Sequence, residues 1–367
     1  MTRRRPFDFW MFTTVIILLS IGVIMIFSAS APYSYNTFGD VYYIFKHQLF
    51  YAILGIIVML ITMNFNYKFF DRISSLMFVV SLALLVLVLV PKIGIEENGA
   101  RRWLELGIRF QPSEIAKIAL ILFFSHRLSI NQNNRNSFFK GFLYYIFLTA
   151  AVVVLLLLEP HLSCSIIITA ISLIVLFCAG TKIRYFLMLV LPILGSFALL
   201  INKTDYMLKR ITSYFNPWND MQGTGYNIVQ SLYAIGSGGL LGRGLGNSRQ
   251  KYQYLPYPHN DFIFSVIAEE LGFIGTLFII ILYAILIYRG LKVAANAPDL
   301  FGSLAAVGIT SLIAIQTILN IGVVTGLIPP TGVSLPLISY GGTSLLLTMG
   351  ELGILLSISR YSNYSRI

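Results

Sequence analysis

The chain has 367 residues, of which 57% are hydrophobic and only 11% charged, and its mean hydropathy is +0.79. A water-soluble globular domain is about a quarter charged, so this composition excludes one and calls for a lipid-facing surface. A net charge of +11 would suit nucleic acid in a soluble protein. Here the basic residues are spread over the connections between apolar runs, where membrane topology and anionic lipid account for them and no nucleic acid is expected.

In chain order the predicted elements are membrane-spanning helices. Arg3, Arg4 and Arg5 precede an apolar run that begins at residue 9, and Ala29-Ser30-Ala31 offers a cleavage-like site. About twenty apolar residues match a span rather than the shorter core of a leader peptide, so a retained first helix is predicted. Further spans are predicted over 48–64, 76–91, 112–126, 142–159, 162–180, 184–202, 261–288, 302–328 and 334–358. The predicted class is all-α, a single polytopic membrane domain over 1–367 with about ten transmembrane helices. A large outer loop, 203–260, separates spans seven and eight. With the N-terminus inside, the inner segments hold a modest majority of Lys and Arg, which predicts that both termini are cytoplasmic. Cys164 and Cys178 fall in one apolar run, roughly 21 Å apart along a helix, and cannot pair with each other.

Chemistry is expected where the apolar pattern fails. Asp261 stands at the mouth of the eighth span, after Tyr257-Pro258-His259-Asn260. Asn260 or Asp261 suits an N-cap, and a carboxylate at the water–lipid boundary equally suits a general base. Glu269 and Glu270 follow about 12–14 Å deeper along the helix, where paired carboxylates normally face a cavity or a cation. Glu114 and Lys117 share one face of the fourth span and can pair, or Lys117 can face an anionic ligand. The preceding loop supplies Arg101, Arg102, Trp103 and Arg109; Arg forks bind phosphate, and Trp103 also suits an interface anchor. Arg210 and Arg243 add to the same positive field. The Gly- and Pro-dense stretch from Asn320 to Val333, followed by Ser339-Tyr340-Gly341-Gly342-Thr343-Ser344, predicts a re-entrant turn that lines a cavity.

Several of these stretches carry a resemblance. GLGNSRQKYQYLPYPHNDFIFSVIAEELG, NGARRWLELGIRFQPSEIAKIA, RITSYFNPW with GYNIVQSLYAIGSGG, and NIGVVTGLIPPTGVSLPLISYGGTS resemble, in order, the motifs of the SEDS family (shape, elongation, division and sporulation). The GLGNS and VVTG forms are more similar to its division and sporulation branch than to its elongation branch. The resemblance implies a peptidoglycan glycosyltransferase that polymerises lipid II, an undecaprenyl-pyrophosphate-linked disaccharide, at the outer face of a bacterial cytoplasmic membrane. It implies Asp261 as the catalytic residue. Substrate contacts are expected at Arg101, Arg102, Trp103, Gln111, Glu114, Lys117, Arg210 and His259, with Glu269, Glu270 and Ser339 in support. A divalent cation, Mg²⁺ or Mn²⁺, is expected at acidic groups beside the pyrophosphate. A class B penicillin-binding protein, a transpeptidase, is the expected partner, with other divisome or sporulation membrane proteins. The chain departs from the family pattern at Tyr257, where an acidic residue is usual, at Asn260 for Thr, and at His161 for Asp. A lipid II flippase and a scaffold that recruits a synthase are the alternative readings.

Overall fold

The computed structural model describes residues 6–91, 93–97, 100–105, 107, 109–134, 137–190, 192, 195, 214–215, 217–221, 223, 225–252 and 254–362. Helices dominate: α1 (Phe9–Phe38), α2 (Tyr43–Asn64), α3 (Tyr67–Leu89), α4 (Pro112–Ile130), α5 (Tyr144–Leu158), α6 (Leu162–Cys178), α7 (Tyr226–Gly238), α8 (Ile263–Ala295), α9 (Leu300–Val324) and α10 (Gly342–Ser359). A π-helical turn, Phe138–Leu143, leads into α5. Among the described residues seven helices are long and apolar enough to cross a membrane: α1, α2, α3, the continuous Phe138–Leu158 segment, α8, α9 and α10. The protein is therefore a multi-pass membrane protein.

Local sequence sets the helix ends. Asp8 caps α1 by accepting from the Met11 amide at 3.0 Å, Asn66 caps α3, and Asp299 caps α9 at 2.8 Å from the Gly302 amide. Each satisfies an amide that helix geometry would leave orphaned. Pro112 opens α4 at a position where no amide is needed. The first span is longer than its apolar run suggests: α1 continues through Ala29-Ser30-Ala31 to Phe38 and closes on Gly39 with φ 70°. The second and third helices begin at Tyr43 and Tyr67, several residues before the apolar runs. Tyr, Lys and His in those first turns are at home at an interface and extend the helix beyond the hydrocarbon. The helical stretch 183–190 opens the predicted span 184–202, and the rest of that span lies largely outside the described residues.

α4 and α9 form the axis. Nearly every α4 position from Ala116 to Ser125 is buried, as expected of a helix apolar all round that faces protein rather than lipid. α4 packs on α3, α6 and α9; α9 packs on α8; α10 packs on α2; and α1 packs on α2 and α8. The two ends differ. At one, polar contacts stitch the bundle: an ion pair of Arg289 with Asp8 at 2.6 Å and a hydrogen bond of His126 Nδ1 with Asp71 at 2.7 Å, with the Tyr67 hydroxyl donating to Asp299 at 2.6 Å. At the other, the predicted loop 92–111 folds as a three-stranded antiparallel sheet, β1 (Gly94–Glu97), β2 (Ala100–Glu105) and β3 (Arg109–Phe110), in the order β1-β2-β3. The long loop after span seven is likewise not all loop, because it contains α7.

α8 is kinked at Gly272, whose backbone sits at φ 67°, ψ −166°, a region open essentially to glycine alone. A Cβ there would also stand 2.2 Å from the Gly242 amide nitrogen. Gly272→Ala is expected to cost more than about 2 kcal/mol, read as a lower thermal midpoint of the detergent-solubilised protein. An unchanged midpoint would show that the kink is not imposed by the packing of the 239–244 turn.

Candidate functional site

The site is built from segments that meet at the sheet end of the bundle. Residues 255–261 lead into α8, whose cap position is Phe262 rather than Asn260 or Asp261. Three successive carbonyls fix this turn. The Tyr340 amide donates to His259 O at 2.9 Å, Ser339 Oγ to Asn260 O at 2.9 Å, and Asn320 Nδ2 to Asp261 O at 2.8 Å. Asn320 Nδ2 also donates to Val333 O at 2.7 Å, and Ser163 of α6 donates to Thr331 O. The Gly/Pro-rich segment between α9 and α10 is thus non-helical, and its backbone groups are met by protein. Gly332, at φ 72°, lies under the Asp261 carboxylate: a Cβ on it would stand 3.5 Å from Oδ2.

Above this turn is a cavity of about 470 Å³. Trp103 and Arg109 line it from the sheet; Gln111, Glu114 and Lys117 from the start of α4; His161 and Cys164 from the start of α6; and Asp261, Gly332 and Tyr340 from the two irregular segments. Lys117 Nζ lies 2.7 Å from Glu114 Oε1, with only 3% and 16% of the two side chains exposed, and Ser344 Oγ donates to Glu114 Oε2 at 3.3 Å. Arg109 sits over the Trp103 ring, 4.9 Å from its centroid, a cation–π contact.

Of the residues predicted from sequence, Trp103, Gln111, Glu114, Lys117 and Asp261 meet in this cavity. Arg101 pairs instead with Glu96 at 3.1 Å on the exposed hairpin. Arg102 donates to the carbonyls of Glu159 and Pro160, holding the α5–α6 corner to the sheet. His259 is buried behind the turn, its ring 5.7 Å from that of Tyr340, and Ser339 acts on the backbone. Arg210 lies outside the described residues. Glu269 and Glu270 face away from the cavity. Glu269 accepts from Ser248 Oγ at 2.6 Å and from the Arg249 and Gln250 amides; Glu270 accepts from Lys251 Nζ at 3.0 Å and from Ser28 of α1.

Sequence reasoning passed over Asn320, Gly332 and Tyr340 as site residues, because their roles are backbone contacts made across long separations. It also passed over Glu159, whose buried carboxylate oxygens have no hydrogen-bond partner among the described residues, and Glu351 in α10, which interacts electrostatically with Lys117 and Glu114. An acidic residue inside an apolar run is a signal that would have flagged Glu351. No group of three or more His, Cys, Asp or Glu placed to hold a metal occurs among the described residues. With Glu114 paired to Lys117, a divalent ion in the cavity would draw on Asp261 and on oxygens of a bound pyrophosphate. That donor set suits Mg²⁺, which is commonly held by one or two carboxylates plus substrate phosphates.

A helical membrane bundle with a carboxylate, a buried Lys–Glu pair and an arginine around one cavity is a multi-pass membrane protein with a charged site at one end. The chain belongs to the FtsW/RodA/SpoVE cell cycle protein family, whose model matches residues 9–364. It is 45% identical to stage V sporulation protein E of Bacillus subtilis over 99% of this chain and 100% of that one. It is 42% identical to a probable peptidoglycan glycosyltransferase FtsW of Trichlorobacter lovleyi, over 97% and 95% of the two chains. Among solved structures it is similar to a chain from a peptidoglycan synthase complex that coordinates polymerization and crosslinking, with TM-score 0.82, 29% identity and 98% and 99% coverage. It is also similar to the rod shape determining protein RodA of Thermus thermophilus, with TM-score 0.72, 30% identity and 98% coverage of both chains.

Burial moves the His259 imidazole from its usual 6.5 down to about 4, so it is neutral in the fold and charges more readily in the unfolded chain. Its contribution to stability is complete above pH 6.5 and is lost as pH falls toward 4. The buried His161, lowered to about 3 by the same cause with Arg102 and Lys117 nearby, acts with the same sign. His259→Gln is expected to weaken the fall of the thermal midpoint between those pH values, without abolishing it. A profile superimposable on that of the wild type would remove His259 from this account.

Proposed function

We propose that Asp261 is the general base of a lipid II polymerase built around this cavity. The chain is a peptidoglycan glycosyltransferase that polymerises lipid II into glycan strands, serving the division or sporulation septum. The observation that carries the site assignment is that Asp261, Lys117, Glu114 and Arg109 line one cavity. In the reaction, the 4-hydroxyl oxygen of the acceptor GlcNAc bonds to the donor's anomeric carbon as the bond from that carbon to the pyrophosphate oxygen breaks. Asp261 takes the hydroxyl proton, and undecaprenyl pyrophosphate leaves with its new negative charge. Lys117 and Arg109 stand where cations stabilise that charge, and such electrostatic stabilisation commonly contributes more to the rate than any other single effect. The wall residues Trp103 and Gln111 position the sugars. Arg102 contributes by fixing the wall rather than by touching substrate, and Arg101 attracts the anion from the exposed hairpin.

The same reading takes α4, α6 and the 184–202 segment as spans beside the seven long helices, making ten, and faces the cavity end outward. Lys68, Arg72, Arg127, Arg289 and Arg360 all lie at the opposite end, which supports cytoplasmic termini. The likeness to a synthase complex that joins polymerization to crosslinking supports a class B penicillin-binding protein as partner.

Asp261→Asn keeps the backbone carbonyl that Asn320 grips and removes only the base. With purified protein, its transpeptidase partner and lipid II, it is expected to polymerise about 10²–10⁴-fold more slowly than wild type. Wild-type product from that variant sinks the assignment, and transfer of labelled lipid between leaflets with no polymer made favours a flippase. The proposal includes a divalent ion at Asp261 and the pyrophosphate. Chelation is then expected to slow polymerisation and added Mg²⁺ or Mn²⁺ to restore it, whereas equal rates with and without chelator remove the ion.

A further inference from the structure

Tyr257, with Pro160 and Leu337, is one of three described residues other than glycine with a positive φ. Its backbone sits at φ 46°, a left-handed conformation that is an outlier for a bulky side chain and costs about 1–3 kcal/mol. Glycine would adopt it freely and asparagine readily. The ring is nevertheless 52% exposed, so burial of apolar area does not repay the strain.

The ring is the outer end of an aromatic strip. Tyr257 lies 5.7 Å from Tyr33 of α1, Tyr33 lies 5.1 Å from His259, and His259 lies 5.7 Å from Tyr340. Tyr340 is part of the cavity wall beside Asp261. Tyr257 also lies 6.5 Å from His259, so the strip clusters around the buried His259 and reaches from the cavity wall at Tyr340 to the exposed Tyr257. It is uncharged throughout: the three tyrosines are phenols, and His259 is neutral because burial holds it near 4. Pyranose rings present faces of C–H bonds, and aromatic faces carry the negative lobe of their quadrupole. A neutral aromatic path suits sugar rings and does not compete with Lys117 and Arg109 for the pyrophosphate.

We propose that Tyr257, Tyr33 and Tyr340, backed by the buried His259, form a saccharide-binding path that holds the sugar units of the growing strand next to the reacting one. Its outer ring, Tyr257, retains the strand between additions. The inference rests on the polymerase reading and concerns how long each strand grows.

The test is the length distribution of strands made from lipid II by the full chain with its partner, for wild type, Tyr257→Gly, Tyr257→Asn, Tyr257→Phe and Tyr254→Ala. Gly and Asn relieve the backbone, so neither is expected to lower the thermal midpoint, yet both are expected to shorten the mean strand about two- to tenfold, the factor that one ring contact contributes. Phe keeps the ring and the wild-type length. Tyr254, 57% exposed on the same loop and outside the strip, is the control and also keeps it. Wild-type strand lengths from both Tyr257→Gly and Tyr257→Asn overturn the proposal, as does equal shortening by Tyr254→Ala. A wild-type protein that makes no polymer overturns the polymerase reading instead.

Discussion

Three carbonyls in a row, those of His259, Asn260 and Asp261, accept hydrogen bonds from a backbone amide, a serine hydroxyl and an asparagine amide on the far side of the site. Buried peptide groups must be paired, and a turn at the end of a membrane helix has no ladder to pair with. The fold meets that demand with residues about sixty and eighty positions further along the chain. The site's geometry therefore depends on one polar side chain more than on any apolar contact. Asn320, buried on α9, ties the Asp261 turn and the Val333 segment to each other through a single amide group. Moving either segment leaves a buried donor or acceptor unpaired, at about 1–3 kcal/mol per group. That penalty holds the Asp261 carboxylate still at the start of α8.

The paired carboxylates deeper in α8 do the same work on a larger scale. Glu270 and Lys251 are almost wholly buried and meet at 3.0 Å, with Ser28 of α1 bonded to both. Glu269 gathers Ser248 and two loop amides. A buried ion pair is weak as a source of stability, but removing one partner costs about 3–5 kcal/mol, so the pair fixes register rather than adding strength. Backbone contacts at Gly238, Gly242 and Gly272 press the same loop onto the kinked helix. The stretch from Gly244 to Asp261 is thereby pinned at its start by carboxylates and at its end by Asn320.

How much of this was legible in the sequence follows from the range of each interaction. Apolar runs gave the helices, because burial or lipid exposure is a local property; their ends were misjudged at Phe38, Tyr43 and Tyr67, where interfacial residues prolong a helix beyond its hydrocarbon stretch. Glu114 and Lys117 were legible as a pair because a helix fixes their spacing. Asp261 stood out by position, but its partner Asn320 did not, since nothing local marks an asparagine that acts across fifty-nine positions. Arginines 101 and 102 were read alike from their charge. Tertiary context separates them: one lies on an exposed strand and the other grips two carbonyls at a helix corner. The small sheet was invisible because its strands are short and carry no sustained alternation.

The cavity's charges are arranged to be exchanged rather than exposed. A lysine as buried as Lys117 is costly without a counter-ion, and Glu114 supplies one at 2.7 Å, with Glu351 acting on it from two turns further along α10 than Ser344. Under the proposed reaction an arriving pyrophosphate competes with Glu114 for this ammonium. Glu114 keeps Ser344 as a donor when it yields, so its carboxylate retains a hydrogen bond. Arg109 is held differently, with its guanidinium over the face of Trp103. Lys117 beside a carboxylate and Arg109 against a ring place two cations in different surroundings on the wall of one cavity.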